Sequence, residues 1–167
     1  NARKLGADGL VFGCLTAQGD IDIPFMKQLM EASQGIPVTF HRAFDVCRNP
    51  QEALEQIIEL GCSRILTSGQ QSTAEQGIPL LKELQQQAAG RITLLAGCGV
   101  NENNIARIAA ETGIREYHFS ARENVNSAMT HHNEAVSMGG TVHIEEYCHP
   151  VTTARRVRKT IEVLEPV

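Results

Sequence analysis

No apolar run in this 167-residue chain approaches the roughly 20 residues that cross a bilayer. The opening Asn1-Ala2-Arg3-Lys4-Leu5 also lacks the hydrophobic core of a signal peptide. A membrane partner is therefore not expected. There is no C-x-x-C pair either: Cys14, Cys47, Cys62, Cys98 and Cys148 are odd in number and widely spread. That usage fits free thiols in a reducing cytoplasm better than a disulfide framework. A basic stripe is missing too, with a net charge of −4 and a pI near 5.9. The single basic run, Arg155, Arg156, Arg158 and Lys159, falls on a predicted C-terminal helix. Nucleic acid is thus a poor partner. Finally, no G-x-G-x-x-G follows the first strand-like segment, which argues against a dinucleotide-binding Rossmann sheet.

What the sequence does contain is a repeat. Strand-like runs occur at Leu10–Gly13, Val38–Arg42, Ile65–Ser68, Ile92–Ala96 and Tyr117–Ser120, spaced 28, 27, 27 and 25 residues from start to start. That is the period of a βα unit. Helix signals fill the intervals. Asn49-Pro50-Gln51-Glu52 offers an N-cap, a first-turn proline and a capping-box acid, with Leu54, Ile57 and Ile58 as the apolar face and Gly61 as terminator. Ser72-Thr73-Ala74-Glu75 is a second capping box, although Gly77 and Pro79 predict an irregular start before Leu81, Leu84 and Ala88 turn inward. Asn101 is expected to open a third helix, with Ile105, Ile108 and Ala109 inward and Gly113 closing it. After Asp22 and Pro24, the first helix is expected to bury Phe25, Leu29 and Met30.

Regular alternation of this kind implies a parallel sheet with right-handed crossovers. The polar, glycine-rich strand ends favour a (β/α)₈ TIM barrel, in which chemistry collects on the loops after the strands. The chain reads as one α/β domain over residues 1–167, holding about five βα units from the C-terminal part of a barrel. An irregular excursion over residues 123–152 precedes the last helix, roughly Thr153–Leu164. A complete barrel takes roughly 250 residues, and five strands cannot close it.

Four strand ends carry candidate chemistry. His41, Arg42 and Asp45 close the second strand, where a histidine can move protons near neutral pH and an arginine can clamp a carboxylate or phosphate. The structural alternative is a brace in which Arg42 and Asp45 tie neighbouring loops. Thr67, Ser68 and Gly69 after the third strand can donate hydroxyl and amide hydrogen bonds. Gly97 and Gly99, followed by a helix start, together with Ser120 and Arg122 after the fifth strand, match the anion site many barrels build from their last two loops. The bland alternative is that the glycines only permit a tight turn. Soft-metal ligands are more scattered. Cys14 and Cys98 at strand ends, with His118 of the same parity as Ser120, could suit Cu(I). The tail's His131, His132, His143, Cys148 and His149 are the densest ligand group, but their spacing fits no zinc pattern.

Several strings together resemble the CutC copper homeostasis family: Gly6–Gly13, Pro37-Val38-Thr39-Phe40-His41-Arg42-Ala43-Phe44-Asp45, Arg64–Gly69, Ala96–Val100 and Glu116–Ala121, continuing into Met138-Gly139. The resemblance implies a cytoplasmic, oligomeric TIM-barrel protein that binds copper, with no settled reaction. The alternative is a barrel enzyme acting on a phosphorylated or carboxylated metabolite, with His41 as acid/base and Arg42 as clamp. On this resemblance the five units are the fourth to eighth of the barrel, and Asn1–Leu5 is the remnant of the third helix. Two departures stand out. Cys98 sits between glycines where the family has three glycines. His131-His132-Asn133 replaces an aromatic-Arg-Asn triplet.

Overall fold

The structure, a computed structural model, describes residues 1–142 and 144–164. The described residues pack as two compact units: residues 1–100 with 104–119, and residues 101–103 with 120–142 and 144–164.

The first unit holds β1 (Leu10–Phe12), α1 (Ile23–Ser33), β2 (Val38–Phe40), α2 (Pro50–Glu59), β3 (Arg64–Thr67), α3 (Ile78–Ala88), β4 (Thr93–Gly97), α4 (Ile105–Thr112) and β5 (Glu116–His118). The five strands pair in parallel, in the order β1-β2-β3-β4-β5. A doubly wound sheet would reverse its strand order at a switch point. Here each strand is added on the same side of the last, so right-handed crossovers send every helix to one face. That is the construction of a barrel wall, left open between β1 and β5.

Alternation along the strands assigns the two faces. Val38, Phe40, Ile65, Leu94 and Ala96 point to the helices and are buried, packed with Met26, Leu54, Ile57, Leu81, Leu84, Ile105 and Ile108. Burying each large aliphatic side chain stabilises the fold by about 1.5–3 kcal/mol. The opposite face stays open. Val11 is 65% exposed, and Thr39, Leu66 and Leu95 are half-buried. On that face Arg64 reaches past β4 to Glu116, with Nε 2.6 Å from Oε2. The hydrogen bond to Glu116, followed by its charge, raises the Arg64 pKa.

Most helix signals act as read. Asn49 accepts from the Glu52 N–H and caps α2, and Asp22 accepts from the Phe25 N–H and caps α1. Three expectations change. Phe25 is 48% exposed, and it is Met26 that is fully buried, with Met30 one turn later packed against the same core. The Ser72–Glu75 box makes no helix. Thr73 closes a local turn with Gln76, and α3 starts at Ile78 with proline in its first turn. Asn101 caps a turn by accepting from the Asn103 N–H, so α4 begins only at Ile105.

In the second unit, β6 (Arg122–Asn126) and β7 (Cys148–Thr152) form an antiparallel ribbon, followed by α5 (Ala154–Glu162). Four of the five β6 residues are exposed, so the ribbon has no apolar alternation by which to announce itself within the stretch expected to be irregular. Thr153 caps α5 by accepting from the Arg156 N–H, and Arg156 and Lys159 both pair with Glu102.

Candidate functional site at the strand ends

The loop after β2 turns at once into a 3₁₀ helix, Arg42–Val46. His41 caps it, its Nδ1 accepting from the Ala43 N–H at 3.1 Å. The neutral ring therefore carries its proton on Nε2, which has no partner among the described residues. Gly13 allows the approach: a Cβ there would lie 2.9 Å from the Phe40 ring and 3.1 Å from His41 Nδ1.

Asp45 is the hub. Its side chain is only 6% exposed. It accepts from Arg42 Nε at 2.6 Å, Thr67 Oγ1 at 2.6 Å, the Ser68 N–H at 3.0 Å and the Gln70 N–H at 3.2 Å. Ser68 Oγ stands 3.0 Å from the same carboxylate and 2.5 Å from the Gln71 carbonyl, so its single proton serves one of them. A carboxylate so fully used is a brace between the β2 and β3 loops. Its work is to hold Arg42, whose Nη2 also donates to Ser68 Oγ at 3.1 Å while 43% of the side chain stays exposed. The Asp45 hydrogen bond raises the Arg42 pKa, burial opposes it, and the charges of Asp45 and the neighbouring Cys98 add to it.

The β3 loop is rigid. Thr67 Oγ1 accepts from the Gly69 N–H at 2.9 Å. A Cβ on Gly69 would come within 2.4 Å of the Gly77 carbonyl oxygen, and one on Gly77 within 1.8 Å of the Ser68 carbonyl oxygen. Gln70 donates to the Cys47 carbonyl at 2.7 Å. Gln70 was not singled out in the sequence, and Gly77 only as a sign of an irregular helix start. The close packing of Gly77 on the Ser68 carbonyl could not be read from that signal, and Gln70 carried none.

After β4, a Cβ on Gly97 would meet Leu66 Cδ1 at 2.6 Å. Cys98 and Gly99 both have positive φ, +79° and +73°. The cysteine thus occupies a left-handed conformation that costs an L-residue about 1–2 kcal/mol. Its thiol donates to the Ser72 carbonyl at 3.1 Å, and its carbonyl accepts from the Ala74 N–H at 2.9 Å. Because α4 starts at Ile105, its N-terminus does not follow Gly99 directly; instead Asn104 Nδ2 donates to the Gly99 carbonyl at 2.9 Å. Ser120 and Arg122 belong to the second unit, where their carbonyls accept from Thr152 Oγ1 and Arg156 Nη1.

The metal candidates are not gathered. Cys14 is half-buried after β1, and burial, then the Asp22 charge, raises its thiol pKa. His118 ends the edge strand β5, exposed and in register with Gly97. Among the described residues no three His, Cys, Asp or Glu side chains come together for a metal. His143 lies outside the described residues.

The CutC family profile matches residues 1–123. The chain belongs to the CutC family. It is 73% identical over 164 residues to the CutC family protein of Bacteroides thetaiotaomicron and 46% identical over 165 residues to that of Porphyromonas gingivalis, covering 98% and 99% of this chain. It spans about two thirds of the length of these curated relatives, 66% in both cases. Among solved structures it resembles one described as a copper homeostasis protein CutC from Streptococcus agalactiae, with a TM-score of 0.67 and 36% identity, covering 70% of this chain and 58% of the other. It also superposes on the native KDPGal structure with a TM-score of 0.55 over 96% of this chain and 59% of that one. The 13% identity there speaks for the fold alone. Both likenesses agree with a TIM-barrel wall.

Proposed function

We propose that the chain acts as a copper homeostasis protein of the CutC type, handling Cu(I) in the cytoplasm as part of a homo-oligomer. The observation that carries this is the CutC family match over residues 1–123, with a structural relative described as a copper homeostasis protein. Five free cysteines support it, since soft thiolates suit Cu(I). No helix among the described residues is long and apolar enough to cross a membrane. The strand-end set Cys14, Cys98 and His118 supports the metal less well than its sequence positions did. The Cys98 thiol is turned to a carbonyl beside the Arg42 cation, a poor setting for a second positive charge. Anaerobic competition with a chromophoric Cu(I) chelator tests the reading: tight, thiol-dependent binding is expected, and failure to compete would remove it.

A second reading rests on Arg42. Its guanidinium is fixed by Asp45 and Ser68, partly exposed, and follows His41 with its open Nε2. This supports a site for a phosphorylated or carboxylated metabolite, with Arg42 as clamp and His41 as acid/base. The Thr67–Gly69 loop would border it, together with Gly97 and Gly99. Sugar phosphates are expected to raise the melting temperature of the wild type but not of Arg42→Met. No shift with any of them would sink the anion site.

A further inference from the structure

The ribbon of the second unit sets up a soft-ligand cluster that the strand ends lack. Cys148 opens β7 directly opposite Asn126, and the Ser127 N–H donates to the Tyr147 carbonyl at 2.7 Å, closing the neck of the loop 127–147. At this neck lies an open cavity of about 490 Å³, whose wall includes Met129, His132, Glu145, Tyr147 and Cys148. A thioether, an imidazole and a thiol thus border one space.

The histidine is already oriented. Its ring stacks on Tyr147 at a centroid distance of 3.9 Å and an interplanar angle of 15°. Tyr147 is held in turn by the Asn133 N–H at 2.6 Å from its hydroxyl. His132 Nε2 lies 3.1 Å from the Met129 carbonyl oxygen. A carbonyl can only accept, so Nε2 carries the proton and Nδ1 keeps a bare lone pair. This is the arrangement of a metal-binding histidine whose other nitrogen donates to a backbone carbonyl. Methionine supplies a flexible, polarizable sulfur. Cysteine, methionine and histidine together form a donor set that selects Cu(I) over hard divalent ions.

We propose that Met129 Sδ, His132 Nδ1 and Cys148 Sγ form a three-coordinate Cu(I) site on the ribbon loop. This rests on the copper reading above but moves the metal away from the strand ends. Binding forms one S–Cu bond to the Cys148 thiolate as its S–H bond breaks, and the proton leaves to solvent. No electron is transferred, because the metal enters as Cu(I).

Anaerobic titration of the 167-residue chain against a chromophoric Cu(I) chelator tests it, with X-ray absorption at the copper edge as a second readout. The wild type is expected to bind one Cu(I) at this site with two sulfur ligands and one nitrogen ligand. Cys148→Ser and Met129→Leu should each weaken binding about tenfold or more, whereas the Cys14→Ser/Cys98→Ser double variant should keep the wild-type affinity. Met129→Leu preserves shape, so its loss of affinity at an unchanged circular dichroism spectrum reports on the ligand and not on folding. Unchanged affinity in a Met129→Leu/Cys148→Ser double variant, with loss in the Cys14/Cys98 variant, would overturn the ribbon site and leave the copper reading standing. A wild type that never competes for Cu(I) would overturn both.

Discussion

The strand-end mouth of the first unit and the ribbon loop of the second present their polar groups by opposite means. At the mouth, a nearly buried carboxylate is saturated with donors, and glycine backbones interlock so closely that a single methyl group does not fit. The result is a fixed cation, Arg42, suited to an anion. On the ribbon loop, Met129 is exposed, Cys148 is half-buried and most neighbours face solvent. The donors there are soft and the scaffold is light. Rigidity favours recognition of a charged oxygen group, whereas polarizable ligands on a light scaffold can close around a metal that tolerates varied geometry.

The sharpest way to break this contrast is Gly77→Ala. A Cβ 1.8 Å from a backbone oxygen has no soft neighbour to displace, so we expect a loss of about 4 kcal/mol in urea unfolding. A loss under about 1 kcal/mol would mean the mouth is not rigid. Asp45→Asn comes next. The amide cannot accept every bond the carboxylate takes, and removing those charge-assisted bonds should cost about 2–3 kcal/mol. The same variant should weaken any effect of sugar phosphates on thermal stability by freeing Arg42.

The alkaline limb separates the two regions by their thiols. Burial pushes Cys47 and Cys62 up to about 11 from 9.0. A raised thiol pKa gives stability that is complete below the unfolded value and is lost as pH rises through the folded one. Unfolding monitored from pH 8 to 11 should therefore show stability falling above about pH 9, and falling less in Cys62→Ala when each variant is compared with its own value at pH 8. At pH 8, thiol reagents should modify Cys148 well before Cys47 or Cys62.

Smaller effects sharpen the picture. Cys98→Gly should stabilise the chain by about 0.5–1 kcal/mol, the relief of a left-handed residue less the entropy that an added glycine brings. Arg64→Met should change stability by about 1 kcal/mol or less, since the Arg64–Glu116 pair is 41% and 39% exposed. A much larger loss would mean that the open sheet face is covered in solution.

The repeat of βα units and the inward faces of α2 and α3 were legible because the 3.6-residue and two-residue periods repeat faithfully there. Phe25 misled because Phe25 and Met26 are adjacent apolar residues, and only the packing of Met26 and Met30 against the core decides between them. The grouping of His41, Arg42 and Asp45 at one strand end was legible, and so was a brace as one of two readings, but the choice between them was not. Only the donors arriving from Thr67, Ser68 and Gln70 make Asp45 a brace, and these come from another loop. The ribbon was hidden by its exposure, since four of the five β6 residues face solvent.

The most direct test follows backbone amide NMR signals during separate titrations with a sugar phosphate and with Cu(I). The account predicts that phosphate moves the signals of Arg42, Ser68 and Gly69 and leaves Met129 to Cys148 unchanged, while Cu(I) does the reverse. Cu(I) shifts confined to Cys14, Cys98 and His118 would contradict it.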